Sequence, residues 1–184
     1  MTAPKVTITR KSELTYRRIT ALNVEDICEL SETLSDVQRE MVADNGTSIA
    51  EGFCSDVAWF RGVYAGETPI GFVMTHTGSD WDDGIECHGE FLWRLMIASP
   101  FQSFGFGRRV VQEIARRVVA SGRTRLYTSY SLGFGSPEGF YRRLGFEPTG
   151  DSFGEEPEAL LDLSMSNILG EDFTNSTSGG LLRD

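Results

Sequence analysis

A glycine-containing turn between a strand-like run and a helix-like run constrains this chain of 184 residues more than any other feature. The turn has the spacing Gln102-x-x-Gly105-x-Gly107, and an amphipathic pattern begins directly after it. Glycine has no Cβ, so several consecutive backbone N–H groups can point toward one anion, and the following helix adds the positive end of its dipole. The turn therefore predicts a binding site for a diphosphate group.

Two better-known phosphate-binding loops do not fit this spacing. A dinucleotide-binding fingerprint needs a third glycine three residues after the second, and that position is Val110. The Gly-Lys-Ser/Thr sequence of a P-loop does not occur in the chain. What remains is a diphosphate-binding turn of another kind, and an ordinary glycine-containing connection is the structural alternative.

Composition and charge exclude several classes of function. The chain is 40% apolar and 24% charged, which is typical of one globular domain with a hydrophobic core. The formal net charge of −10 argues against a nucleic-acid partner and is compatible with a cationic small molecule, although the acidic residues after Asp151 could instead solvate a tail. No run approaches the ~20 apolar residues of a membrane span, and no signal-peptide core follows Met1, so we expect a cytoplasmic protein without membrane association.

Hydrophobic periodicity predicts the order strand, helices, three strands, helix, strand, helix and two strands. Ser35 with Gln38 and Ser48 with Glu51 have capping-box spacing, which predicts two short helices before Trp59. This order is typical of a mixed α/β layer with a mainly antiparallel sheet. The predicted strands cover residues 14–19, 59–64, 70–74, 91–97, 126–129, 146–150 and 159–163, and the other helices cover 23–30, 108–121 and 136–144.

Three separate motifs within about residues 14–164 resemble the GNAT superfamily of N-acetyltransferases. They are Pro69-Ile70-Gly71-Phe72-Val73, the run from Leu95 to Gly107, and Phe140-Tyr141-Arg142-Arg143-Leu144-Gly145-Phe146. The resemblance implies the α/β (α+β) GNAT fold, with a mainly antiparallel sheet of about six to seven strands and about four to five flanking helices. We expect the acetyltransferase domain to span residues 1–164, and residues 165–184 to form a C-terminal arm or tail.

The same resemblance implies acetyl-CoA as the cosubstrate. The fourth strand would splay from the fifth, and the pantetheine arm would hydrogen-bond to the strand backbone in the gap. Backbone N–H groups of the turn would bind the diphosphate; Arg108 or Arg109 would reach a phosphate or else lie on a solvated helix face. The expected cofactor contacts are Leu95, Met96, Ile97, Gln102, Ser103, Phe104, Gly105, Phe106, Gly107, Arg108 and Ser136.

For the chemistry of transfer, Tyr141 matches the family's tyrosine that protonates the departing thiolate, a role that suits a phenol with a pKa of about 10. A core aromatic is the alternative for this position. The amine must lose a proton before it attacks, and many relatives place a carboxylate on the fourth strand where this chain has Trp93 and Arg94. Glu90 is the predicted general base, with Glu86 or a chain of water molecules as alternatives.

The narrower motifs resemble bacterial spermine/spermidine (diamine) acetyltransferases through Trp93-Arg94-Leu95-Met96-Ile97, Ser136-Pro137-Glu138-Gly139-Phe140-Tyr141 and the acidic Gly154-Glu155 segment. The predicted function is direct acetyl transfer from acetyl-CoA to a primary amine of a small polycationic acceptor such as a polyamine. An aminoglycoside or other amine antibiotic is the alternative acceptor, and a catalytically weak acyl-CoA-binding sensor is the alternative of another class. Relatives are often dimers, so a homodimer is a further expectation. The residues after Leu163 could exchange between the two subunits, or they could be a frayed end.

A metal site is not expected. His76, Cys87, His88 and the aspartates between residues 80 and 83 lack zinc-finger or EF-hand spacing. The cysteines are three in number, widely spaced and without CxxC spacing, which predicts reduced thiols. The acceptor pocket would be shaped by residues 34–57 and 76–89.

Overall fold

One seven-stranded sheet, with the order β1-β2-β3-β4-β5-β7-β6, organises the residues that the computed structural model describes, 7–78 and 89–170. Neighbouring strands are antiparallel except β4 and β5, which run parallel. The strands are β1 (Leu14–Arg17), β2 (Ala58–Ala65), β3 (Thr68–Thr77), β4 (Glu90–Ile97), β5 (Arg125–Ser129), β6 (Glu147–Phe153) and β7 (Glu156–Asp162); the α-helices are α1 (Val24–Glu29), α2 (Asp36–Arg39), α3 (Asn45–Cys54), α4 (Phe106–Ala120) and α5 (Glu138–Arg143).

The predicted fold class is confirmed, and the largest local difference concerns α3. The capping box at Ser35 and Gln38 is present at the start of α2. The one predicted at Ser48 is wrong, because α3 begins three residues earlier: the Asp44 carboxylate accepts from the Thr47 N–H at 2.9 Å, and Ser48 lies inside the helix. Asp44 is therefore the N-cap of α3, in place of the predicted Ser48.

Two hydrophobic clusters cover the two faces of the sheet. Consecutive residues of a strand point to opposite faces, and accordingly Phe72 belongs to one cluster and Val73 to the other. The cluster that contains Val73 is completed by the apolar stripe of α4, whose buried members include Val110, Ile114 and Val118. Burying each such side chain contributes about 1.5–3 kcal/mol, so the sheet is held between α4 on one face and α1 with α3 on the other.

A β-bulge interrupts β4. Thr75 of β3 pairs with Leu92, but its neighbour Met74 pairs with Arg94, so Trp93 is an extra residue in the strand. A bulge bends its strand and ends regular pairing nearby. Beyond Leu92, β4 no longer pairs with β5, and the two parallel strands separate.

The start of the C-terminal arm packs against the domain. The Ile168 side chain is buried in the same cluster as α4, and its carbonyl oxygen accepts a hydrogen bond from the Gln112 side chain at 2.9 Å. Residues 171–184 lie outside the described residues, so the division at residue 164 stays a prediction. None of the helices in the two described ranges combines the length and apolar character that crossing a bilayer requires.

Gly71 of β3 lies directly against β4. A Cβ at this position would collide with the backbone oxygen of Met96 and lie 2.9 Å from the Ile97 Cδ1 atom. Only glycine therefore lets β3 approach the part of β4 that borders the gap.

Substituting Gly71→Ala should lower the free energy of unfolding by about 1–3 kcal/mol, because the added methyl group forces backbone against backbone. Chemical denaturation measures this loss. Gly139→Ala is the matched control: Gly139 lies on an exposed face of α5, where alanine should add about 0.5–1 kcal/mol. Equal stability of the Gly71→Ala variant and the unaltered protein would contradict the close approach.

Candidate active site

A cleft of about 1050 Å³ opens where β4 leaves β5. Its walls are the second half of β4, the turn before α4, the loop after β5, the inner side of α5 and residues 38–43 beside α2. Part of the segment that was predicted to shape the acceptor pocket, residues 34–57, therefore borders the cleft. The other predicted segment, 76–89, lies mostly outside the described residues, and within them β3 extends through Thr77.

The turn before α4 has the backbone of an anion site. Ser103 and Gly105 have φ values of 64° and 84°, in the left-handed region, and α4 begins at the next residue, Phe106. Alternation of left-handed and ordinary conformations turns successive N–H groups to one side, and the first N–H groups of a helix have no partner within the helix. The turn therefore presents a set of free donors to the cleft, together with the positive end of a 15-residue helix.

The side chain of Gln102 fixes this turn. Its Nε2 donates to the carbonyl oxygen of Ile97 at 2.9 Å, and its Oε1 accepts from Gln38 Nε2 of α2 at 2.9 Å. The amide thus joins the end of β4, the turn and α2. Gln102 can hold the anion site in shape while its own side chain is occupied by protein partners.

The structure brings most of the predicted cofactor residues together on the cleft wall. The two that do not line the cleft are Phe104 and Ser136. Phe104 stacks on Phe106 with ring centroids 5.6 Å apart, and the Ser136 hydroxyl accepts a hydrogen bond from the Glu138 N–H at 3.2 Å. The residues that line the cleft are Leu95, Met96, Ile97, Gln102, Ser103, Gly105, Phe106, Gly107 and Arg108.

The two arginines at the start of α4 have different surroundings. Arg108 is exposed and lines the cleft. The guanidinium of Arg109 donates to the carbonyl oxygens of Arg10 and Ser12, at 3.2 Å and 2.8 Å. Of the two, Arg108 is therefore free to reach a phosphate, and Arg109 ties the N-terminal segment to α4.

Tyr141 of α5 lies on the cleft wall with 7% of its surface exposed. Its ring stacks on Tyr130 with centroids 5.8 Å apart. Burial raises the pKa of Tyr141 to about 12; the Thr128 hydroxyl lowers it in part, and the charge of Glu156 raises it further. A phenol with this pKa stays protonated at neutral pH, so it can give a proton to a departing group.

The predicted general base, Glu90, lies at the other end of β4. Its carboxylate accepts from the hydroxyls of Thr75 and Thr77 at 2.5 Å and 2.6 Å, and Arg123 lies 4.0 Å away. Glu90 is not among the residues that line the cleft, so the structure does not bring it together with Tyr141. Glu86, the alternative, lies outside the described residues.

A carboxylate that the sequence did not suggest, Glu156, lies on the cleft wall. Its two oxygens accept from the hydroxyls of Ser129 and Ser131, each at 2.7 Å. Its charge acts on both Tyr141 and Arg94. Glu156 belongs to an acid-rich stretch of sequence, and it begins β7 two residues before Glu158, which pairs with Ser129 of β5.

A second unexpected residue is Arg94, which follows the bulge and lines the cleft. Its guanidinium lies over the Trp93 ring, 5.1 Å from the centroid, and one terminal nitrogen is 3.2 Å from a Glu51 carboxylate oxygen. Burial lowers the pKa of Arg94, and the charges of Glu51 and Glu156 oppose this effect.

Metal ligands are not clustered in the part of the chain that the structure describes: no group of three or more His, Cys, Asp or Glu side chains there could hold an ion. Cys87, His88 and the aspartates between residues 80 and 83 lie outside that part.

The family of the chain follows from comparison with known proteins. Residues 25–146 match the model of the acetyltransferase (GNAT) family, and the chain belongs to that family. It is therefore an N-acetyltransferase that depends on acetyl-CoA. A search of curated protein sequences finds no match.

Solved structures with the same fold include three acetyltransferases of low sequence identity. An acetyltransferase from Thermus thermophilus is 17% identical, with 82% of this chain and 97% of that chain covered and a TM-score of 0.64. The PaiA N-acetyltransferase from Thermoplasma acidophilum in complex with coenzyme A is 16% identical, with coverages of 82% and 99% and a TM-score of 0.57. The ribosomal-protein-S18-alanine N-acetyltransferase from Escherichia coli is 14% identical, with coverages of 87% and 98% and a TM-score of 0.59.

These likenesses establish the fold. The polyamine acceptor, the cytoplasmic location and the homodimer stay predictions.

Gly105→Ala should weaken coenzyme A binding by about 5- to 30-fold, because an L-residue in the left-handed region is strained by about 1–2 kcal/mol and tends to leave the conformation that binds the anion. Isothermal titration with coenzyme A measures the change. Gly122→Ala is the matched control: Gly122 has a φ of 79° beside the C-terminal end of α4, and neither glycine has an atom within 4 Å of an added Cβ. Loss of affinity in both variants alike, or in neither, would contradict the role of the turn.

Proposed function

We propose that this acetyltransferase transfers the acetyl group of acetyl-CoA directly to a primary amine of a small molecule, with Tyr141 as the general acid. The observation that carries the proposal is that a donor-rich turn and a buried, protonated tyrosine lie on the walls of one cleft. A diphosphate and a leaving thiolate are the two groups of acetyl-CoA that need such partners.

The cofactor would lie along the free side of β4. Beyond Leu92 this side has no strand partner in the described residues, so its backbone groups can pair with the pantetheine amides as a neighbouring strand would. The contacts expected at Leu95 and Ile97 are of this kind. The diphosphate would then meet the N–H groups between Ser103 and Arg108, and a β4 N–H group would polarise the acetyl carbonyl.

The transfer needs no covalent enzyme intermediate. The lone pair of the amine attacks the carbonyl carbon, a C–N bond forms, and the resulting oxyanion expels the sulfur as the C–S bond breaks. The thiolate takes the proton of the Tyr141 hydroxyl, and the surplus proton on nitrogen passes to a base. The products are an amide and free coenzyme A.

For that base we propose Glu156 rather than Glu90. Glu156 lies on the cleft wall with Tyr141, whereas Glu90 lies at the start of β4 and is not among the residues that line the cleft. Each carboxylate accepts two hydroxyl hydrogen bonds, so their positions, and not their hydrogen bonds, separate the two candidates. A base must reach the nitrogen that attacks next to Tyr141, directly or through one water molecule.

The cleft constrains the class of acceptor less than it constrains the cofactor. The net charge of −10 and the carboxylates of Glu40 and Glu156 favour a cationic acceptor such as a polyamine or an aminoglycoside. Arg39 and Arg94 on the same wall oppose an acceptor that is cationic throughout. The buried Tyr141 on the cleft wall supports catalysis over the sensor without turnover that the sequence left as an alternative.

Tyr141→Phe should lower kcat by about 10²- to 10⁴-fold, the usual contribution of a positioned general acid. Release of thiol from acetyl-CoA in the presence of amines measures the rate. Coenzyme A affinity should be unchanged, since phenylalanine keeps the ring that packs on Tyr130. Because the pKa of Tyr141 is about 12, ionisation of this group should cause no loss of activity between pH 7 and pH 10. Unchanged turnover of the variant would contradict the proposed role.

Glu156→Gln and Glu90→Gln form a matched pair, because each removes one carboxylate charge and keeps its shape. We expect Glu156→Gln to lower kcat/KM at neutral pH by about 10²-fold or more, and Glu90→Gln to leave it within a few-fold of the unaltered protein. Thiol release at several pH values measures both. The opposite order of effects would make Glu90 the base and Glu156 a structural residue.

A further inference from the structure

We propose that the acceptor amine also carries an anionic group, a carboxylate or a phosphate, and that Arg94 binds this group. The inference rests on the proposed function and narrows the acceptor class: small amino acids or amino phosphates would be preferred over polyamines. It follows from the position of Arg94, from its incomplete set of partners and from the charges around it.

The β-bulge determines which way Arg94 faces. In a regular strand Trp93 and Arg94 would point to opposite faces of the sheet. Here Trp93 packs in the cluster formed with α1 and α3, and Arg94 pairs with Glu51 of α3, so both lie on the face opposite α4. Arg94 therefore lies on the side of the sheet that carries α3, and it lines the cleft together with residues 38–43.

The Arg94 side chain is mostly removed from solvent, and only some of its N–H donors have hydrogen-bond partners in the protein. The side chain is 21% exposed, and its Nε is buried without a hydrogen-bond partner among the described residues. The protein contacts are the Glu51 carboxylate and the backbone oxygen of Trp93, at 3.2 Å and 3.0 Å. Arginine keeps its proton, and these contacts use only part of its set of N–H donors, so donors remain for a ligand that enters the cleft.

The geometry of the group suits an oxyanion. A guanidinium offers its N–H donors in a planar fork that pairs with two oxygens of a carboxylate or phosphate. The Glu51 side chain that faces Arg94 is 36% exposed and accepts one such bond, so it neutralises the arginine without enclosing it.

Two charged groups on the cleft wall are relevant to the acceptor. Glu156 lines the cleft, as do Tyr141 and Arg94, and its charge acts on both of them. An acceptor with an ammonium group toward Glu156 and an anionic group toward Arg94 would satisfy both. A polyamine long enough to fill the cleft would instead bring a second ammonium group against the guanidinium, which is repulsive in a partly desolvated site. The alternative role for Arg94 is a purely structural tie between β4 and α3.

The test uses pairs of acceptors that differ only in the anionic group: lysine with cadaverine, phenylalanine with phenylethylamine, and O-phosphoethanolamine with ethanolamine. Thiol release from acetyl-CoA should show a kcat/KM at least about tenfold higher for the anionic member of one or more pairs, mainly through KM. A preference within the first two pairs would indicate binding of a carboxylate, and a preference within the third pair would indicate binding of a phosphate. Equal rates within all pairs, or a preference for cadaverine or spermidine, would overturn the inference.

Variants then separate binding from structure. Arg94→Gln should abolish the preference within each pair through a loss of kcat/KM for the anionic member, with the affinity for coenzyme A unchanged. Arg94→Lys, which keeps the charge without the fork, should retain part of the preference. The control is Arg116→Gln, since Arg116 of α4 pairs with Glu113 on a solvated face and should not affect any pair. If Arg94→Gln weakens all acceptors alike, or only lowers the melting temperature, Arg94 is a structural tie.

Failure of the proposed function has a different signature. If coenzyme A binds but no acceptor of any charge releases thiol, the chain is a sensor and the inference falls with the proposed function. If thiol is released without regard to the anionic group, the proposed function stands and the inference alone is wrong.

Discussion

The extra residue in β4 is the constraint on which the rest of the site depends. With Trp93 inserted, β4 pairs with β5 only through Leu92, and the two parallel strands then separate. Main-chain donors and acceptors that would otherwise be used within the sheet become available to a ligand. The bulge shortens the pairing of β4 with β5, and a cleft opens where the two strands separate. Gly71 keeps β3 close behind the bent strand, so the opening is confined to the β5 side.

The cleft is divided by the sheet into two chemically distinct halves. The half near α4 is made of backbone donors and needs few side chains, which explains why glycine and the left-handed Ser103 matter there. The other half is made of side chains from α2, β4 and β7, among them Arg94 and Glu156. The hydrogen bonds from Gln38 to Gln102 and from Gln102 to Ile97 join the halves.

The sequence predicts the first half far better than the second, for a physical reason. The turn, α4 and Tyr141 are encoded by local spacing: two glycines before an amphipathic run, and a tyrosine in a short helix closed by Gly145. Glu156 and Arg94 depend on strand register. One extra residue at the bulge moves a side chain to the other face, and composition around Glu156 does not distinguish it from other acids. The expected carboxylate position on β4 holds Trp93 and Arg94, and Glu90, the nearest earlier acid of the strand, does not line the cleft.

The central claim is that separated strands, rather than a closed pocket of side chains, hold the cofactor. A crystal structure of the chain bound to coenzyme A tests it most directly. It should show the pantetheine arm in the gap, hydrogen-bonded to the backbone of β4 between Leu95 and Ile97, with the diphosphate on the turn from Ser103 to Arg108 and the sulfur next to Tyr141. Pairing of β4 with β5 that continues past Leu92, or coenzyme A bound outside the gap, would contradict the account.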